Sequence, residues 1–321
     1  MVFVPQLDEV LDGLHVVSLP MRVRFRGITV REVALIEGPA GWGEFGPFLE
    51  YEPPEASHWL ASAIEAAYQP PPDVHRDRIP INATVPAVAV EQVPDVLARF
   101  PGARTAKVKV AERGQTLADD IARVNAVRAL IPTVRVDANG GWSVDEAAEA
   151  AAALTADGPL EYVEQPCATV PELAALRRRV DVPIAADESI RKADDPLHVV
   201  RSKAADVAVL KIAPLGGVMR MLEIADQIDI PIVVSSALDS AVGIGRGLLG
   251  AAALPELRYA CGLGTGGLFV EDIAEPALPV DGFLPVVPVT PDPARLAALA
   301  AAPERRQWWI DRTRVCFAAM S

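Results

Sequence analysis

The feature that most constrains the fold is a regular alternation of short apolar runs and helical segments from residue 79 onward. Between the runs lie segments with helical periodicity, such as TLADDIARVNAVRALI and DEAAEAAAALTA. The polar residues that end successive runs are 23 to 28 positions apart, which is about the length of one βα unit. The eight runs are RIPINATV, AKVKV, VRVDAN, LEYVEQP, PIAADES, VAVLKIA, PIVVSSA and YACGLGT.

This pattern predicts an α/β fold with a parallel βα barrel. An open doubly wound sheet is disfavoured, because no glycine-rich phosphate-binding turn follows the first run. Residues 1–75 instead predict an α+β domain with two antiparallel strands and a helix from Glu55 to Tyr68. We place the barrel at 76–268, after the proline-rich junction QPPPDVHRD, and expect residues 269–321 to return to the first domain.

The composition of the chain indicates which kinds of partner it can bind and in which compartment it is expected. The net charge of −13 argues against binding to nucleic acid or to an anionic membrane. No apolar stretch reaches about 18 residues without a charge or a proline, and the N-terminus lacks a basic region, so neither a membrane span nor secretion is expected. The three cysteines lack metal-type spacing and favour a reducing compartment, the cytoplasm.

Lysine is rare and unusually placed. The chain has 5 lysines and 25 arginines, and three of the lysines, Lys107, Lys109 and Lys211, lie inside apolar runs. A buried site that keeps lysine indicates a need for a cation that can lose its proton, which a guanidinium cannot do. The sequence therefore indicates proton-transfer chemistry.

Three carboxylates end successive strands. Asp137, Glu164 and Asp187 should meet at one mouth of a parallel barrel, where the carboxyl ends of the strands converge. Crowded carboxylates repel one another unless a cation compensates, and oxygen ligands suit Mg²⁺, with Mn²⁺ as an alternative. A single acid at such a turn is commonly a helix cap, but three on successive strands favour a metal site.

Lys107 and Lys109 are two residues apart on one strand and should share its inward face. Two ammonium groups about 7 Å apart repel by about 2 kcal/mol at an effective dielectric of about 20, which would lower the pKa of one lysine. Lys109 could then act as a base. Lys211 should face it across the mouth; the alternative for Lys211 is a buried stem with an exposed ammonium.

Five further residues are candidates for substrate binding. Arg135 shares the face of Asp137 and could contact an anionic substrate, although a salt bridge inside the barrel is an equal alternative. Ser235 and Ser236 could bind a carboxylate, or could cap a helix. Gly262 and Gly264 leave the last strand end bare for a ligand, or form turns.

These motifs, taken together and in this order, resemble the enolase superfamily. The residues that carry the resemblance are Lys-x-Lys at 107–109, VDANGGW with Asp137, VEQP with Glu164, ADES with Asp187, and LKIAPLGG with Lys211. The lysine pair and the third lysine resemble the muconate-lactonising subgroup. The resemblance implies a modified (β/α)7β barrel of the TIM type under an α+β capping domain, and an Mg²⁺ held by the three acids.

Within this subgroup, RGITVRE, VDANGGW and SSALDS are most similar to a dehydratase of menaquinone biosynthesis that removes water from a hydroxycyclohexadiene carboxylate. The resemblance implies that Lys109 is the base, Lys211 a cation beside the ring and Lys107 a partner that tunes Lys109. It also implies a small anionic carboxylate as substrate and a monomer.

Two other functions remain open. A racemase of N-acylamino acids would use Lys109 and Lys211 as opposed bases, whereas a dipeptide epimerase is disfavoured because CGLGTGG offers no Asp-x-Asp for a substrate ammonium. The other open function is a non-catalytic barrel that binds a metal or a ligand. The retained lysines argue against this function.

Overall fold

The computed structural model describes residues 5–192, 195–275 and 277–320. Its strands are β1 Leu14–Phe25, β2 Ile28–Gly38, β3 Gly41–Phe45, β4 Arg78–Pro80, β5 Ala83–Val85, β6 Thr105–Lys109, β7 Thr133–Asp137, β8 Val163–Glu164, β9 Ile184–Ala186, β10 Val207–Leu210, β11 Ile232–Val234 and β12 Phe283–Pro285. Its α-helices are α1 Leu7–Asp12, α2 Pro53–Tyr68, α3 Val93–Leu97, α4 Leu117–Arg128, α5 Val144–Thr155, α6 Val170–Arg177, α7 Glu188–Arg191, α8 His198–Arg201, α9 Ile212–Leu215, α10 Val218–Ala225, α11 Ala241–Ala253, α12 Pro293–Ala298 and α13 Pro303–Ala319.

Seven parallel strands, β5 to β11, pair in chain order and form the barrel. Residues 261–262 occupy the eighth position, since Cys261 pairs in parallel with Ile81 and Gly262 with Ser235. Apolar strand residues and the inner faces of the surrounding helices form one buried core around this sheet. The predicted (β/α)7β barrel is confirmed.

Local sequence explains where several barrel helices begin. Thr116, Ser143 and Thr169 cap α4, α5 and α6, and each accepts a hydrogen bond from the amide three residues later. That later residue is Asp or Glu in every case, and its side chain bonds back to the capping residue. These reciprocal caps satisfy amide groups that a helix start leaves without partners.

The N-terminal domain forms a three-stranded antiparallel sheet with the order β1-β2-β3, covered by α2. The sequence predicted two strands here; the second run contains the turn at 39–40 and folds as both β2 and β3. The C-terminal tail returns as expected, because α13 packs on α2 and β1 and buries Trp309. The proposed boundaries at 75/76 and 268/269 stay a prediction.

The first apolar run, RIPINATV, is not one barrel strand. Its first half forms β4, which pairs antiparallel with β12, and only its second half, β5, joins the barrel. Pro80, which has no amide to donate, ends β4, and Ile81 and Asn82 separate it from β5. None of the described helices is long and apolar enough to cross a membrane.

Candidate active site

Strand register brings two of the acids and both neighbouring lysines together at the carboxyl end of the barrel. Lys109 on β6 is paired with Asp137 on β7, and Asp137 is paired with Glu164 on β8. The Lys107 ammonium lies 2.5 Å from Glu164 Oε1 and 3.2 Å from Asp137 Oδ2. Lys109 Nζ donates to the same Asp137 oxygen at 2.5 Å and to Asn139 Oδ1 at 2.5 Å. The two lysines therefore share one carboxylate.

Asp187 and Lys211 form the other side of the site. Lys211 Nζ donates to Asp187 Oδ2 at 2.6 Å, and Arg191 Nε donates to Asp187 Oδ1 at 3.0 Å. The side chains of these three residues are more than nine-tenths buried. Arg191 also donates to the Tyr51 hydroxyl at 2.5 Å, which links this side of the site to the N-terminal domain.

Burial and neighbouring charges shift the pKa values of Lys107 and Lys109, the two lysines of β6, in opposite directions. Burial lowers the pKa of Lys109, and the Lys107 ammonium lowers it further against the opposing effect of Asp137. Burial also acts to lower the pKa of Lys107, but the Glu164 and Asp137 carboxylates outweigh it and raise that pKa above its usual range. The expected direction for Lys109 is found, although burial rather than Lys107 is the largest cause.

The same surroundings raise the pKa of one strand-end acid and lower the pKa values of the other two. Burial raises the pKa of Glu164 to about 7, partly opposed by Lys107. For Asp137, burial acts upward, but Lys109 and Lys107 outweigh it and hold the pKa well below its usual range. Lys211 and Arg191 likewise outweigh burial and keep the pKa of Asp187 low. Asp137 and Asp187 are therefore ionised at neutral pH.

The donor set fits a hard divalent cation. Asp137, Glu164 and Asp187 are all buried, and Glu164 Oε2 is a buried oxygen without a hydrogen-bond partner in the structure. Such an unpaired oxygen is costly unless a cation or donor reaches it. Within the described ranges, no group of three acidic, imidazole or thiol side chains is arranged so that it could hold a metal ion, and lysine ammonium groups contact all three strand-end acids. Their assignment as metal ligands stays a prediction.

A pocket opens above these charges and contains several of the predicted residues. It is lined by Lys107, Lys109, Asp137, Lys211, Ser235, Ser236 and Gly262. Gly262 has a steric reason to be glycine, since a Cβ there would lie 2.4 Å from Ser235 Oγ. Ser236 Oγ lies 2.7 Å from Thr265 Oγ1 and 3.0 Å from Gly262 O.

Sequence reasoning missed some of the pocket. The lining residues that were not predicted are Phe25, Thr84, Asn139, Ala237, Leu238 and Thr265, and Arg26 lines the pocket beside them. Phe25 and Arg26 come from the turn between β1 and β2, and Lys109 Nζ lies 5.6 Å from the centre of the Phe25 ring. Asn139 could have been predicted from the VDANGGW motif. The contribution of the turn between β1 and β2 could not, because the sequence around that turn does not indicate that it reaches the pocket.

The structure places Arg135 and Gly264 away from this pocket. Arg135 is fully buried near the amino end of the barrel, where its guanidinium binds Glu161 and donates to the Tyr162 hydroxyl at 2.8 Å. It is the barrel-interior salt bridge that the sequence left as an alternative to substrate binding. Gly264 lines a separate apolar cavity and packs against Asn82 O and Phe100.

Family models match both parts of the chain. Residues 16–67 match the enolase N-terminal domain-like family, and residues 90–292 match the enolase C-terminal domain-like family. Because the second match alone covers more than half of the chain, the protein belongs to the enolase superfamily. The parallel barrel and the N-terminal capping domain agree with that class.

Relatives of high identity show which members of the enolase superfamily this chain is similar to. The chain is 79% identical to the o-succinylbenzoate synthase of Mycolicibacterium smegmatis, over 98% of each chain. It is 77% identical to the o-succinylbenzoate synthase of Mycobacterium leprae, over 99% of this chain and 95% of the relative. At this identity and coverage, the chain falls within the family of these synthases.

Solved structures support the fold. The muconate lactonizing enzyme from Pseudomonas fluorescens, complexed with muconolactone, has a TM-score of 0.75 and 22% identity, over 90% of this chain and 98% of that one. A probable mandelate racemase from Alicyclobacillus acidocaldarius has a TM-score of 0.68 and 24% identity, over 90% and 95%. These similarities concern the architecture alone.

Proposed function

We propose that the protein is an o-succinylbenzoate synthase, a carbon-oxygen lyase that removes water from 2-succinyl-6-hydroxy-2,4-cyclohexadiene-1-carboxylate to give 2-succinylbenzoate. The observation that carries this proposal is the 79% identity over nearly the full length to a relative of that name. The pocket adds a chemical reason, because it places two lysines and a cluster of strand-end acids around one small space.

Asp137, Glu164 and Asp187 would hold Mg²⁺, with Mn²⁺ as an alternative. The cation, when bound, stabilises the negative charge that develops on the substrate carboxylate as its α-proton leaves. The fit rests on the buried acid set and on the unpartnered Glu164 Oε2. The Lys107 ammonium binds Asp137 and Glu164 and offsets part of their charge.

Lys109 is the proposed base. Its lowered pKa increases the neutral fraction, and only the neutral amine can take the α-proton of the ring. The C–H electron pair then forms the ring double bond as the C–O bond breaks, and the Lys109 ammonium returns the same proton to the departing hydroxide. The products are the aromatic carboxylate and one water molecule, so protons and charge balance.

Two other lysines would assist without exchanging that proton. Lys211 keeps an ammonium on the opposite side of the pocket, paired with Asp187, where it can stack against an electron-rich ring. Lys107 neutralises Glu164 and Asp137 and helps to lower the pKa of Lys109. Ser235 and Ser236 line the wall between them and could donate to a substrate carboxylate.

The experiment follows the loss of the cyclohexadiene absorbance with purified protein and this substrate, first with Mg²⁺ and then with excess chelator. We expect metal-dependent loss with stoichiometric formation of 2-succinylbenzoate. Turnover that persists in chelator would contradict the metal assignment. Absence of turnover in the presence of Mg²⁺ would contradict the dehydratase assignment.

Racemisation of N-acylamino acids is a second candidate, favoured by one observation: Lys109 and Lys211 line the same pocket from different strands. Two bases on opposite faces of a carbon acid can invert it. Exchange of deuterium from solvent into an N-acylamino acid, with loss of optical rotation, would detect this activity beside or instead of dehydration.

The biological setting follows from the same resemblance. The reaction belongs to menaquinone biosynthesis, and we propose a cytoplasmic monomer that binds a small anionic carboxylate and neither nucleic acid nor membrane. The acidic charge of −13 supports the exclusion of nucleic acid.

A further inference from the structure

The segment that joins β11 to α11 forms one wall of the pocket. Four of its consecutive residues, 235 to 238, line the pocket, and Ser240 is the N-cap of α11. Leu238 adopts a φ of +62°, a left-handed conformation that residues with a Cβ rarely take. We refer to residues 235–240 as the wall segment. Its conformation needs support from outside the segment.

That support comes from a glutamate of the N-terminal domain. Glu44 on β3 is 6% exposed. Its Oε2 accepts hydrogen bonds from the Ser240 hydroxyl at 2.5 Å, from the Ser240 amide at 2.9 Å and from the Gly243 amide at 3.2 Å. One oxygen atom thereby ties the end of the wall segment and the first turn of α11 to the other domain.

Two further contacts hold the same wall. Arg31 on β2 donates through Nε to Leu238 O at 3.1 Å, at the residue with the left-handed conformation. Asp272 Oδ2 accepts from the Ala241 amide at 3.0 Å. The near end of the wall segment is held by the barrel, because the Ser235 amide donates to Leu210 O at 2.9 Å and the Ser236 amide to Gly262 O at 3.0 Å. The far end, at residues 238–240, is held by groups outside the barrel strands, and Glu44 makes two of these bonds.

We propose that Glu44 is a positioning residue for the dehydration reaction: it holds the far end of the wall segment so that Ala237 and Leu238 keep their place in the pocket lining beside Ser235 and Ser236. The inference rests on the proposed function. Loss of Glu44 would leave Lys109 and the strand-end acids in place, since they lie on β6 to β9, and would displace only groups that bind the substrate. Binding that is equal in the ground state and transition state affects KM and leaves kcat unchanged.

The charges around Glu44 indicate which variant preserves the native state. Burial, and then the charge of Asp239, raise the pKa of Glu44 to about 8, while Ser240 and Arg31 oppose the shift and Asp272 adds to it. The facing groups are thus Arg31 on β2, Asp239 in the wall segment and Asp272 after the barrel. Oε2 accepts all three hydrogen bonds, so an amide of the same shape, whose carbonyl oxygen can take its place, is the conservative replacement.

The test compares Glu44→Ala with Glu44→Gln in the Mg²⁺-loaded protein. We expect Glu44→Ala to raise KM about tenfold with kcat within about threefold of the wild type, because two hydrogen bonds to the wall segment and one to the first turn of α11 are lost. Glu44→Gln keeps the acceptor and should restore KM to within about twofold. Wild-type turnover in the same assay tests the proposed function separately.

Glu65 supplies a matched control. It also reaches from the N-terminal domain to barrel helices, accepting from the Val218 amide at 2.7 Å, from the Met219 amide at 3.1 Å and from Arg246 at 3.2 Å. These bonds reach the start of α10 and the middle of α11, and none of them reaches the wall segment. Glu65→Ala should lower the melting temperature and leave KM unchanged. A role that is merely structural predicts the same result for Glu44→Ala.

Three outcomes would overturn the proposal: an unchanged KM in Glu44→Ala, an equal rise of KM in Glu65→Ala, or no rescue by Glu44→Gln. If Glu44→Ala does not fold, Ser240→Ala carries the test, because it removes one of the three bonds and keeps both domains intact. We then expect KM to rise about threefold with kcat unchanged. An unchanged KM in that variant would also overturn the proposal.

Discussion

Two clusters of buried charge lie at opposite ends of the same barrel; both contain an arginine, but only the cluster at the carboxyl end contains the three lysines Lys107, Lys109 and Lys211. At the carboxyl end, Lys107, Lys109 and Lys211 bind the strand-end acids and line a pocket. Near the amino end, Arg135 binds Glu161 and the Tyr162 hydroxyl and is fully enclosed. Both clusters are buried and paired, so burial and pairing alone do not identify a reaction site.

The difference lies in what each cation can do. The Arg135 guanidinium stays charged at any physiological pH. It donates hydrogen bonds to the groups around it, including one of 2.9 Å to Ala260 O. The Lys109 amine has a lowered pKa and can exchange a proton. The mouth also keeps a carboxylate oxygen, Glu164 Oε2, without a hydrogen-bond partner in the structure. An enclosed, saturated cluster stabilises the barrel, whereas an accessible and unsaturated one can perform chemistry.

Among the substitutions that test this comparison, Lys109→Ala should have the largest effect on turnover. Removal of the base should lower kcat by at least about 10³-fold, near the upper range for a general acid-base group. The circular dichroism spectrum should match the wild type, because the hydrogen bonds that are lost, to the side chains of Asp137 and Asn139, lie at the pocket and not in the backbone ladder of the barrel. Substantial turnover in a folded variant would rule out Lys109 as the base.

Asp187→Ala should have the next largest effect. The change removes a proposed metal ligand and leaves Lys211 and Arg191 without their shared acceptor. We expect kcat/KM to fall at least about 10²-fold and the melting temperature to stop responding to Mg²⁺. A wild-type response to Mg²⁺ in this variant would show that Asp187 is not a ligand.

Arg135→Met addresses the other cluster. The variant leaves Glu161 and Tyr162 without their buried partner, so we expect unfolding in urea to become easier by about 3 kcal/mol. Turnover by the folded fraction should change by less than about threefold, since Arg135 lies outside the pocket. Glu161→Gln is a milder control because Glu161 is partly exposed. A large loss of kcat with unchanged stability would reverse the comparison.

The pH dependence should show the smallest effect. The neutral amine is the active form of Lys109, so kcat/KM should fall as the pH drops through the Lys109 pKa. Burial lowers this pKa, and the inflection should therefore lie below the ordinary lysine value of about 10.4. The Arg135→Met variant should keep the same inflection, because Arg135 is not among the groups that shift Lys109.

Sequence alone predicted the barrel and most of the mouth for a physical reason. A parallel barrel places strand ends at one rim, so regular spacing of polar residues becomes proximity in space. It could not predict the direction in which a long side chain extends. Lys107 and Arg135 are paired across β6 and β7, yet Lys107 extends toward the mouth and Arg135 toward the opposite end.

Contacts between the two domains were also beyond sequence reasoning. Glu44 lies in the GWGEF segment, and its partner Ser240 is 196 residues later. The turn with Phe25 and Arg26 likewise reaches the pocket from the N-terminal domain. Neither contact has a local periodicity or spacing, because each depends on how the capping domain sits on the barrel.

The most direct test of the central claim is a pair of reciprocal substitutions, with kcat measured in the dehydration assay. Lys109→Arg keeps the positive charge but cannot lose a proton, so we expect kcat to fall at least about 10³-fold. Arg135→Lys keeps the charge in the enclosed cluster, and kcat should stay within about threefold of the wild type. Full activity in Lys109→Arg, or a comparable loss in Arg135→Lys, would contradict the assignment of proton transfer to the mouth of the barrel.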